Sequence, residues 1–266
     1  MANTATLDVI DGVATLTLNR PEALNALSLE MMEDLAAATR ALKARTDVEV
    51  VVVTGAGAHF MAGGDLNDFA RQLGQTPQAR LATFKAMIVH HINPTVETLQ
   101  SLHQPVIAKV RGACAGFGLS LMLGCDLAVA ADDAVFTTAY AAIGLSADGG
   151  MSYFLPREVG RRKALELLML SDRFKTDEAL RLGLVSRVVP AAELDASVDA
   201  LVARLKAGPR HAYGEFKRLI NASIDNQLEA QLQSEAEAFS RCSATGDFAE
   251  GVTAFLDKRK PSFKGK

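Results

Sequence analysis

The chain has 266 residues, of which 49% are hydrophobic and 22% are charged, and its formal net charge at pH 7 is −3. This composition suits one large domain, or one domain with an appendage, and argues against a disordered chain. The sequence shows no basic stripe for nucleic acid, no apolar run of membrane-spanning length and no signal peptide. Its three cysteines form no Cys-x-x-Cys pair, so we expect a cytoplasmic protein without disulfides or a zinc site.

Strands and helices alternate from the beginning of the chain. Residues 13–18 alternate polar and apolar β-formers and are predicted to form a strand. Ser28 is expected to cap a helix over residues 29–45, which has apolar residues along one side. The β-branched run at residues 48–53 predicts a strand that is buried on both faces.

Two glycine-rich segments follow these elements. Residues 54–66 are predicted to form a loop, and residues 78–103 a helix that Pro94 interrupts. Residues 106–130 predict a buried strand, a glycine-rich turn, a short apolar helix and a second buried strand. Because N–H groups at a helix start have no intrahelical partners, this turn is a candidate site for negative charge.

The pattern changes towards the C-terminus. A short strand is predicted at residues 134–136, a third glycine loop at 144–150 and a helix at 156–170. A strand at residues 184–189 ends at a proline, and the pattern beyond it is helical. We therefore predict an α/β core over residues 1–200 and a helical region over residues 201–266.

Several chemistries are disfavoured because their motifs are missing from the sequence. It contains no dinucleotide-binding Gly-x-Gly-x-x-Gly, no P-loop, no Gly-x-Ser-x-Gly elbow and no His-Glu-x-x-His. His90 and His91 diverge on a helix, so we expect no metal site there. Three glycine loops and a few carboxylates remain. They suit a carbonyl chemistry in which backbone amides hold an oxyanion and a carboxylate moves a proton.

Motifs in order along nearly the whole chain resemble the crotonase family, the enoyl-CoA hydratase/isomerase superfamily. The matching stretches are Asn19-Arg-Pro-Glu-Ala-Leu-Asn-Ala-Leu27, Phe60-Met-Ala-Gly-Gly-Asp-Leu66, Arg111-Gly-Ala-Cys-Ala-Gly-Phe-Gly-Leu-Ser120, Cys125-Asp-Leu-Ala-Val-Ala130, Gly144-Leu-Ser-Ala-Asp-Gly-Gly150 and Thr253-Ala-Phe-Leu-Asp-Lys-Arg-Lys-Pro-Ser-Phe-Lys264. The resemblance implies an α/β spiral of ββα units with a C-terminal helical trimerisation region. It also implies homotrimers or dimers of trimers, acyl-CoA thioester substrates, and no metal or redox cofactor.

The resemblance also assigns binding roles. The two oxyanion donors of the family correspond to the backbone N–H groups of Gly64 and Phe117. Coenzyme A, as part of the substrate, would lie along the Ala23-Leu24 segment and the loop that holds Ala62, Asp65 and Leu66. Phe255 and Lys258 match positions that reach coenzyme A, often from a neighbouring subunit. Asp65 and Asp126 are also expected to cap or brace the fold.

The chain departs from the family at the two acids that hydratases use to activate water. Ser120 and Tyr140 stand at those positions. Asp148 matches an aspartate of phenylacetate-pathway-type isomerases, and a single carboxylate could move a proton between two carbons of an acyl chain. The resemblance thus favours an isomerase that shifts a double bond from 3-enoyl-CoA to 2-enoyl-CoA.

Other functions remain open. The Asp148 position also holds the nucleophile of 4-chlorobenzoyl-CoA dehalogenase, but that enzyme uses a histidine where this chain has Glu97 and a tryptophan that this chain lacks. A hydratase with relocated acids, Glu97 and Asp148, is an alternative. A catalytically silent crotonase fold that binds coenzyme A or a partner is another, since a fold does not determine a function.

Overall fold

The computed structural model describes residues 3–265. Its strands are β1 (Ala5–Ile10), β2 (Val13–Leu18), β3 (Val50–Gly55), β4 (Val106–Val110), β5 (Ala113–Ala115), β6 (Leu127–Ala131), β7 (Val135–Thr137), β8 (Phe174–Lys175) and β9 (Arg187–Val189). A six-stranded sheet has the order β1-β2-β3-β4-β6-β9, and a three-stranded sheet has the order β5-β7-β8.

The helices lie between and after these strands. They are α1 (Leu29–Lys43), α2 (Leu66–Arg71), α3 (Pro77–Met87), α4 (Asn93–Ser101), α5 (Phe117–Leu123), α6 (Met151–Leu170), α7 (Thr176–Arg181), α8 (Leu194–Lys206), α9 (Arg210–Ser223), α10 (Leu228–Ser243) and α11 (Gly246–Leu256). The backbone leaves helical geometry within α6 at Gly160, where φ is 76°. Ser28 caps α1 as expected, since its hydroxyl accepts the N–H of Met31.

A π-helical turn, Ile88–Ile92, joins α3 to α4 where the sequence predicts an interruption. In this turn the N–H of Asn93 donates to the carbonyl of Ile88, five residues earlier. Pro94 follows at once and has no N–H to continue the α-helical ladder. The proline therefore coincides with a local widening of one long helical segment rather than with its end.

The large sheet is antiparallel only at its first pair. β1 and β2 form a hairpin whose turn residues, Asp11 and Gly12, both have positive φ, at 47° and 76°. β2, β3, β4, β6 and β9 then run parallel. All residues of β3 are buried, as the β-branched run predicts.

Helix α8 packs on the opposite face of the sheet from the main core. Its buried residues Leu194 and Val198 join Val50, Ile107 and Val129 in a second apolar cluster. Helix α8 therefore packs against the core along its whole length, although it extends past residue 200, where we predicted the core to end. The helices that extend beyond the core therefore begin with α9.

The last three helices are held by ion pairs and by the C-terminal tail. Glu215 on α9 accepts from Arg218 Nε at 2.9 Å and, across to α10, from Arg241 Nε at 2.7 Å. The buried carboxylate of Asp247 accepts the backbone N–H groups of Lys264 and Gly265. Among the helices of residues 3–265, none is long and apolar enough to cross a membrane.

Candidate active site

A cavity of about 660 Å³ opens between the loop before α2, helices α2 and α3, the start of α5 and the loop before α6. Most of its walls are apolar, and the polar side chains on it are Tyr140, Ser146 and Asp148. The apolar and glycine positions are Leu27, Met32, Ala62, Gly63, Gly64, Leu66, Phe69, Leu81, Phe84, Met87, Ile88, Ile92, Gly116, Phe117, Ala139, Ala142, Ile143, Leu145 and Ala147. Such a lining favours an apolar group bound beside a small polar centre.

Backbone pairing brings two glycine turns together at the mouth of this cavity. Met61 donates its N–H to the carbonyl of Ala113 in β5 at 2.9 Å, and Leu27 donates to Gly63 at 2.7 Å. Gly116 turns from β5 into α5 with φ of 51°, and a Cβ added there would lie 3.3 Å from Gly63 Cα. The glycines therefore allow the two turns to approach more closely than larger residues would.

Gly64 and Phe117, the two predicted oxyanion donors, line the same cavity. Phe117 is the first residue of α5, so its N–H has no acceptor within the helix. Among the hydrogen bonds of residues 3–265, neither the Gly64 N–H nor the Phe117 N–H has a backbone acceptor in a loop or turn. Two such donors, with a helix N-terminus behind one of them, suit a carbonyl oxygen that gains negative charge.

Asp148 lies on the loop that precedes α6 and lines the cavity. The next residue, Gly149, has φ of 58°, and a Cβ there would lie 2.6 Å from the Phe117 ring. Glycine thus lets the loop pack directly against α5. The structure therefore brings the predicted base, Asp148, to the same cavity as the two predicted oxyanion donors.

Two hydroxyl side chains link α5 to Asp148. Tyr140 donates its hydroxyl to Asp148 Oδ1 at 2.7 Å, and the Ser120 and Tyr140 hydroxyls are 2.9 Å apart. Ser120 also donates to the backbone carbonyl of Asp148 at 3.0 Å. From the sequence, Ser120 and Tyr140 are recognisable only as residues that replace the two acids of hydratases. Their contact with Asp148 is a feature that the sequence does not predict.

This environment changes the acidity of the site. Burial raises the pKa of Asp148, and the hydrogen bond from Tyr140 opposes that rise. Burial, followed by the nearby Asp148 charge, raises the pKa of the Tyr140 hydroxyl well above its ordinary value. Tyr140 therefore stays protonated as a donor, and Asp148 is a stronger proton acceptor than an exposed carboxylate.

The structure does not bring Glu97 to this centre. Glu97 lies on α4, is exposed to solvent, and is not among the residues that line the cavity. The apolar face of that helix points inward through Thr95 and Leu99, and this turns the glutamate outward. The suggestion that Glu97 faces the pocket as a second acid or base therefore has no support from its position.

The predicted coenzyme A segments lie close together, and two of their residues, Ala62 and Leu66, line the cavity. Leu24 accepts the N–H of Ala62 at 3.1 Å and is exposed, next to Ala23, while Leu66 is 59% exposed. The Asp65 carboxylate is engaged within the protein, since it pairs with Arg20 at 2.8 Å and caps α2 at the N–H of Asn67. The side chain of Asp65 thus braces the loop, as Asp126 braces Val106 and Lys217.

Phe255 and Lys258 lie elsewhere on the single chain. Phe255 is 83% exposed and borders a separate groove between α9 and α11, and Lys258 is also exposed. Neither residue lines the cavity. The single chain therefore places neither residue beside Asp148.

Comparisons with known proteins match both sequence and fold. The enoyl-CoA hydratase/isomerase family model matches residues 8–266. The chain is 37% identical to a 1,2-epoxyphenylacetyl-CoA isomerase of Escherichia coli over 96% of each protein. It is 32% identical to 4-chlorobenzoyl coenzyme A dehalogenase-2 of an Arthrobacter species, over 95% of this chain and 90% of that protein.

A solved structure extends the similarity to three dimensions. The enoyl-CoA hydratase of Mycobacterium smegmatis superposes with a TM-score of 0.88 at 34% identity, over 98% of each chain. The named reactions of these three similar proteins differ, so they agree on the family and the fold rather than on one reaction. The chain belongs to the enoyl-CoA hydratase/isomerase family and has its crotonase fold.

Proposed function

We propose that this protein is an enoyl-CoA isomerase that converts 3-enoyl-CoA into 2-enoyl-CoA. The observation that carries the proposal is the position of Asp148. It is the one carboxylate among the described residues that line the cavity, and it shares that cavity with the N–H groups of Gly64 and Phe117. One carboxylate beside an oxyanion site suits proton transfer between two carbons of one substrate.

The proposed reaction has two proton transfers. The thioester oxygen accepts hydrogen bonds from the Gly64 and Phe117 N–H groups, which stabilise the charge that develops on it. Asp148 removes a proton from C2, and the electron pair delocalises over oxygen, C2 and C4. The protonated Asp148 then returns the proton to C4, so the double bond moves from C3–C4 to C2–C3 and conjugates with the carbonyl.

The surroundings fit this substrate in the proposal. The acyl group would occupy the apolar part of the cavity near Phe69 and Phe84, whose rings meet edge to face with centroids 5.1 Å apart. Coenzyme A would leave the cavity past Leu24 and Leu66. The reaction moves protons without net oxidation, so it would need no redox cofactor.

The ultraviolet absorbance of the conjugated 2-enoyl thioester tests the proposal. Absorbance should rise when 3-enoyl-CoA is supplied and should change little when 2-enoyl-CoA is supplied. The Asp148→Asn variant keeps the size of the side chain but removes the base, and we expect it to lower the turnover number by about 10²- to 10⁴-fold. Isomerisation that survives in this variant would contradict the proposal.

A hydratase with Glu97 and Asp148 as its acids is the competing function. The hydratase names among similar proteins and structures support it, whereas the position of Glu97, exposed outside the cavity, does not. The Glu97→Gln variant separates the two functions. The isomerase proposal expects wild-type turnover from it, whereas a hydratase that needs Glu97 would lose water addition to 2-enoyl-CoA.

A further inference from the structure

The orientation of the Asp148 carboxylate rests on very few contacts. Within residues 3–265, Tyr140 is the side chain that hydrogen-bonds to this carboxylate, through the 2.7 Å contact to Oδ1. No ion pair involving Asp148 occurs among the same residues. Removing the Tyr140 hydroxyl would thus remove the side-chain hydrogen bond that fixes the rotamer of this carboxylate.

Counting protons fixes the direction of the hydrogen bonds. An ionised carboxylate only accepts, so the single Tyr140 proton must point to Asp148 Oδ1. The single Ser120 proton is then available for the Tyr140 oxygen at 2.9 Å, for the Asp148 carbonyl at 3.0 Å or for the Gly116 carbonyl at 3.4 Å, and the Tyr140 oxygen is the nearest of the three. Ser120 is 0% and Tyr140 is 8% exposed, so water competes little for either hydroxyl.

Among residues 3–265, no side chain donates a hydrogen bond to the second carboxylate oxygen, Oδ2, and Asp148 lines the same cavity as Gly64 and Phe117. A base is effective only when its reacting oxygen is held in the productive geometry. Building on the isomerase function proposed above, we propose that Tyr140 is a positioning residue: it binds Asp148 Oδ1 and aims Oδ2 at the substrate, while Ser120 fixes the Tyr140 hydroxyl.

The surroundings make a pH profile a clean readout of this role. Asp148 and Tyr140 are the titratable groups among the described residues that line the cavity. Helix α5, which packs against both, carries no ionisable side chain, and neither does the turn Ala141–Ile143. At the start of α6, Tyr153 borders a different cavity. An acid limb in the rate therefore reports mainly on Asp148.

The test compares Tyr140→Phe with a matched control, Tyr153→Phe. Tyr153 also places its hydroxyl near a carboxylate, 3.4 Å from Asp225 Oδ2, but does so at the surface. We expect Tyr140→Phe to move the acid limb of kcat/KM for 3-enoyl-CoA upward by about one pH unit, because the ionised form loses a hydrogen bond. The plateau kcat should fall about tenfold with KM nearly unchanged, and Tyr153→Phe should behave like wild type.

A second variant and a direct titration complete the test. Ser120→Ala keeps the tyrosine and should shift the acid limb in the same direction by a smaller amount. If the Tyr140→Phe variant does not fold, the Ser120→Ala variant still tests the proposal. Carbon-13 NMR of the labelled Asp148 carboxyl, assigned by its loss in Asp148→Asn, should show the same upward shift without any need for turnover.

Two results would contradict the positioning role of Tyr140, and a third would contradict the proposed isomerase function. An unchanged acid limb and an unchanged Asp148 titration in Tyr140→Phe would overturn the positioning role. Activity lost at every pH with an unchanged titration would also overturn it, since Tyr140 would then act as a proton donor itself. Wild-type protein that isomerises no 3-enoyl-CoA would defeat the proposed function instead, and the carboxyl titration would still decide whether Tyr140 holds Asp148.

Discussion

Gly116 shows how one residue allows close approach of the two turns that carry the proposed oxyanion donors, Gly64 and Phe117. It combines a φ of 51° with close approach to Gly63 on the facing turn. Any residue with a Cβ would be strained at this φ, at a cost on the order of 1–3 kcal/mol. The strain would fall on the junction that places the Phe117 N–H, rather than on the substrate pocket itself.

We expect Gly116→Ala to lower kcat by about ten- to a hundredfold, because small displacements of a catalytic donor have large effects on rate. Steady-state kinetics measures the effect, and a melting curve shows whether the fold is kept. Gly74→Ala is the matched control, since nothing lies within 4 Å of the added Cβ at that position. Wild-type kcat in Gly116→Ala would show that the separation of the turns is not critical.

For single residues, the sequence predicts which side chains and N–H groups belong to the candidate site better than it predicts which of them contact each other. Gly64, Phe117 and Asp148 belong to motifs whose spacing was informative, and all three line one cavity. Glu97 is predicted only because it aligns with a catalytic position of the family. Such an alignment does not show which face of a helix packs inward. The hydrogen bonds that link Ser120, Tyr140 and Asp148 could not be predicted, because the spacing of residues in a sequence does not identify the hydrogen-bond partner of a hydroxyl group.

Among the elements, α9 and α10 are joined through one carboxylate. Glu215 is buried and accepts from arginines of both helices. Arg241, followed by Arg218, lowers the pKa of Glu215 to about 2. Since its folded pKa is depressed, the pair stabilises the fold above the ordinary glutamate pKa, and that stabilisation is lost as the pH falls towards about 2.

The Glu215→Gln variant should therefore be less stable than wild type by about 1–2 kcal/mol at neutral pH. The difference should shrink as the pH drops from about 4.5 towards 2, where wild type also loses the charge. Urea unfolding across this pH range measures it. Glu237→Gln is the control, because Glu237 is more exposed and lies 4.0 Å from Arg241. A pH-independent difference would contradict the ion-pair explanation.

Regular elements with strong periodicity were predicted closely. β2 has the predicted bounds, α1 ends about two residues before its predicted end, and β3 lies about two residues further along the chain than predicted. β1 was missed, although Asp11-Gly12 is a hairpin signal between two alternating runs. β5 was hidden within a glycine-rich turn because three residues are too short for a periodic pattern.

For the molecule as a whole, the C-terminal helices expose many large apolar side chains. The residues concerned are Phe216, Ile220, Ile224, Leu228, Leu232, Phe239, Phe248, Val252, Phe255 and Leu256. Apolar surface on this scale is typical of an interface between chains. It fits an interface with other chains, and the family resemblance implies that such an assembly is a trimer or a dimer of trimers.

Light scattering after size exclusion should thus give three or six times the 28.3 kDa of one chain. Phe239→Glu should reduce that mass, because a charge would be buried without a partner. Ile10→Glu serves as the control, since Ile10 is similarly exposed but lies on β1, away from the helices. A monomeric wild-type protein would contradict the prediction.

The boundary between the α/β core and the C-terminal helical region was harder to predict from the sequence than the fold class. The amphipathic pattern of α8 indicates that one face is covered, but the sequence does not say whether the core or another subunit covers it. The structure shows that the sheet covers it, through Val50, Ile107 and Val129. Long-range packing of this kind is decided by the shape of the assembled sheet, which no local pattern contains.

The π-helical turn at Ile88–Ile92 also bears on how this family could diversify. Its hydrogen bonds span five residues, so it accommodates one residue more than an α-helical turn of the same height. Ile88 and Ile92 both line the cavity. Deleting a single residue between them would restore an α-helical turn and shorten the chain between these two wall residues by one residue, while the helical segments before and after it would keep nearly the same orientation. An inherited deletion could thus change this wall of the cavity in one step, without any substitution among the residues that line it.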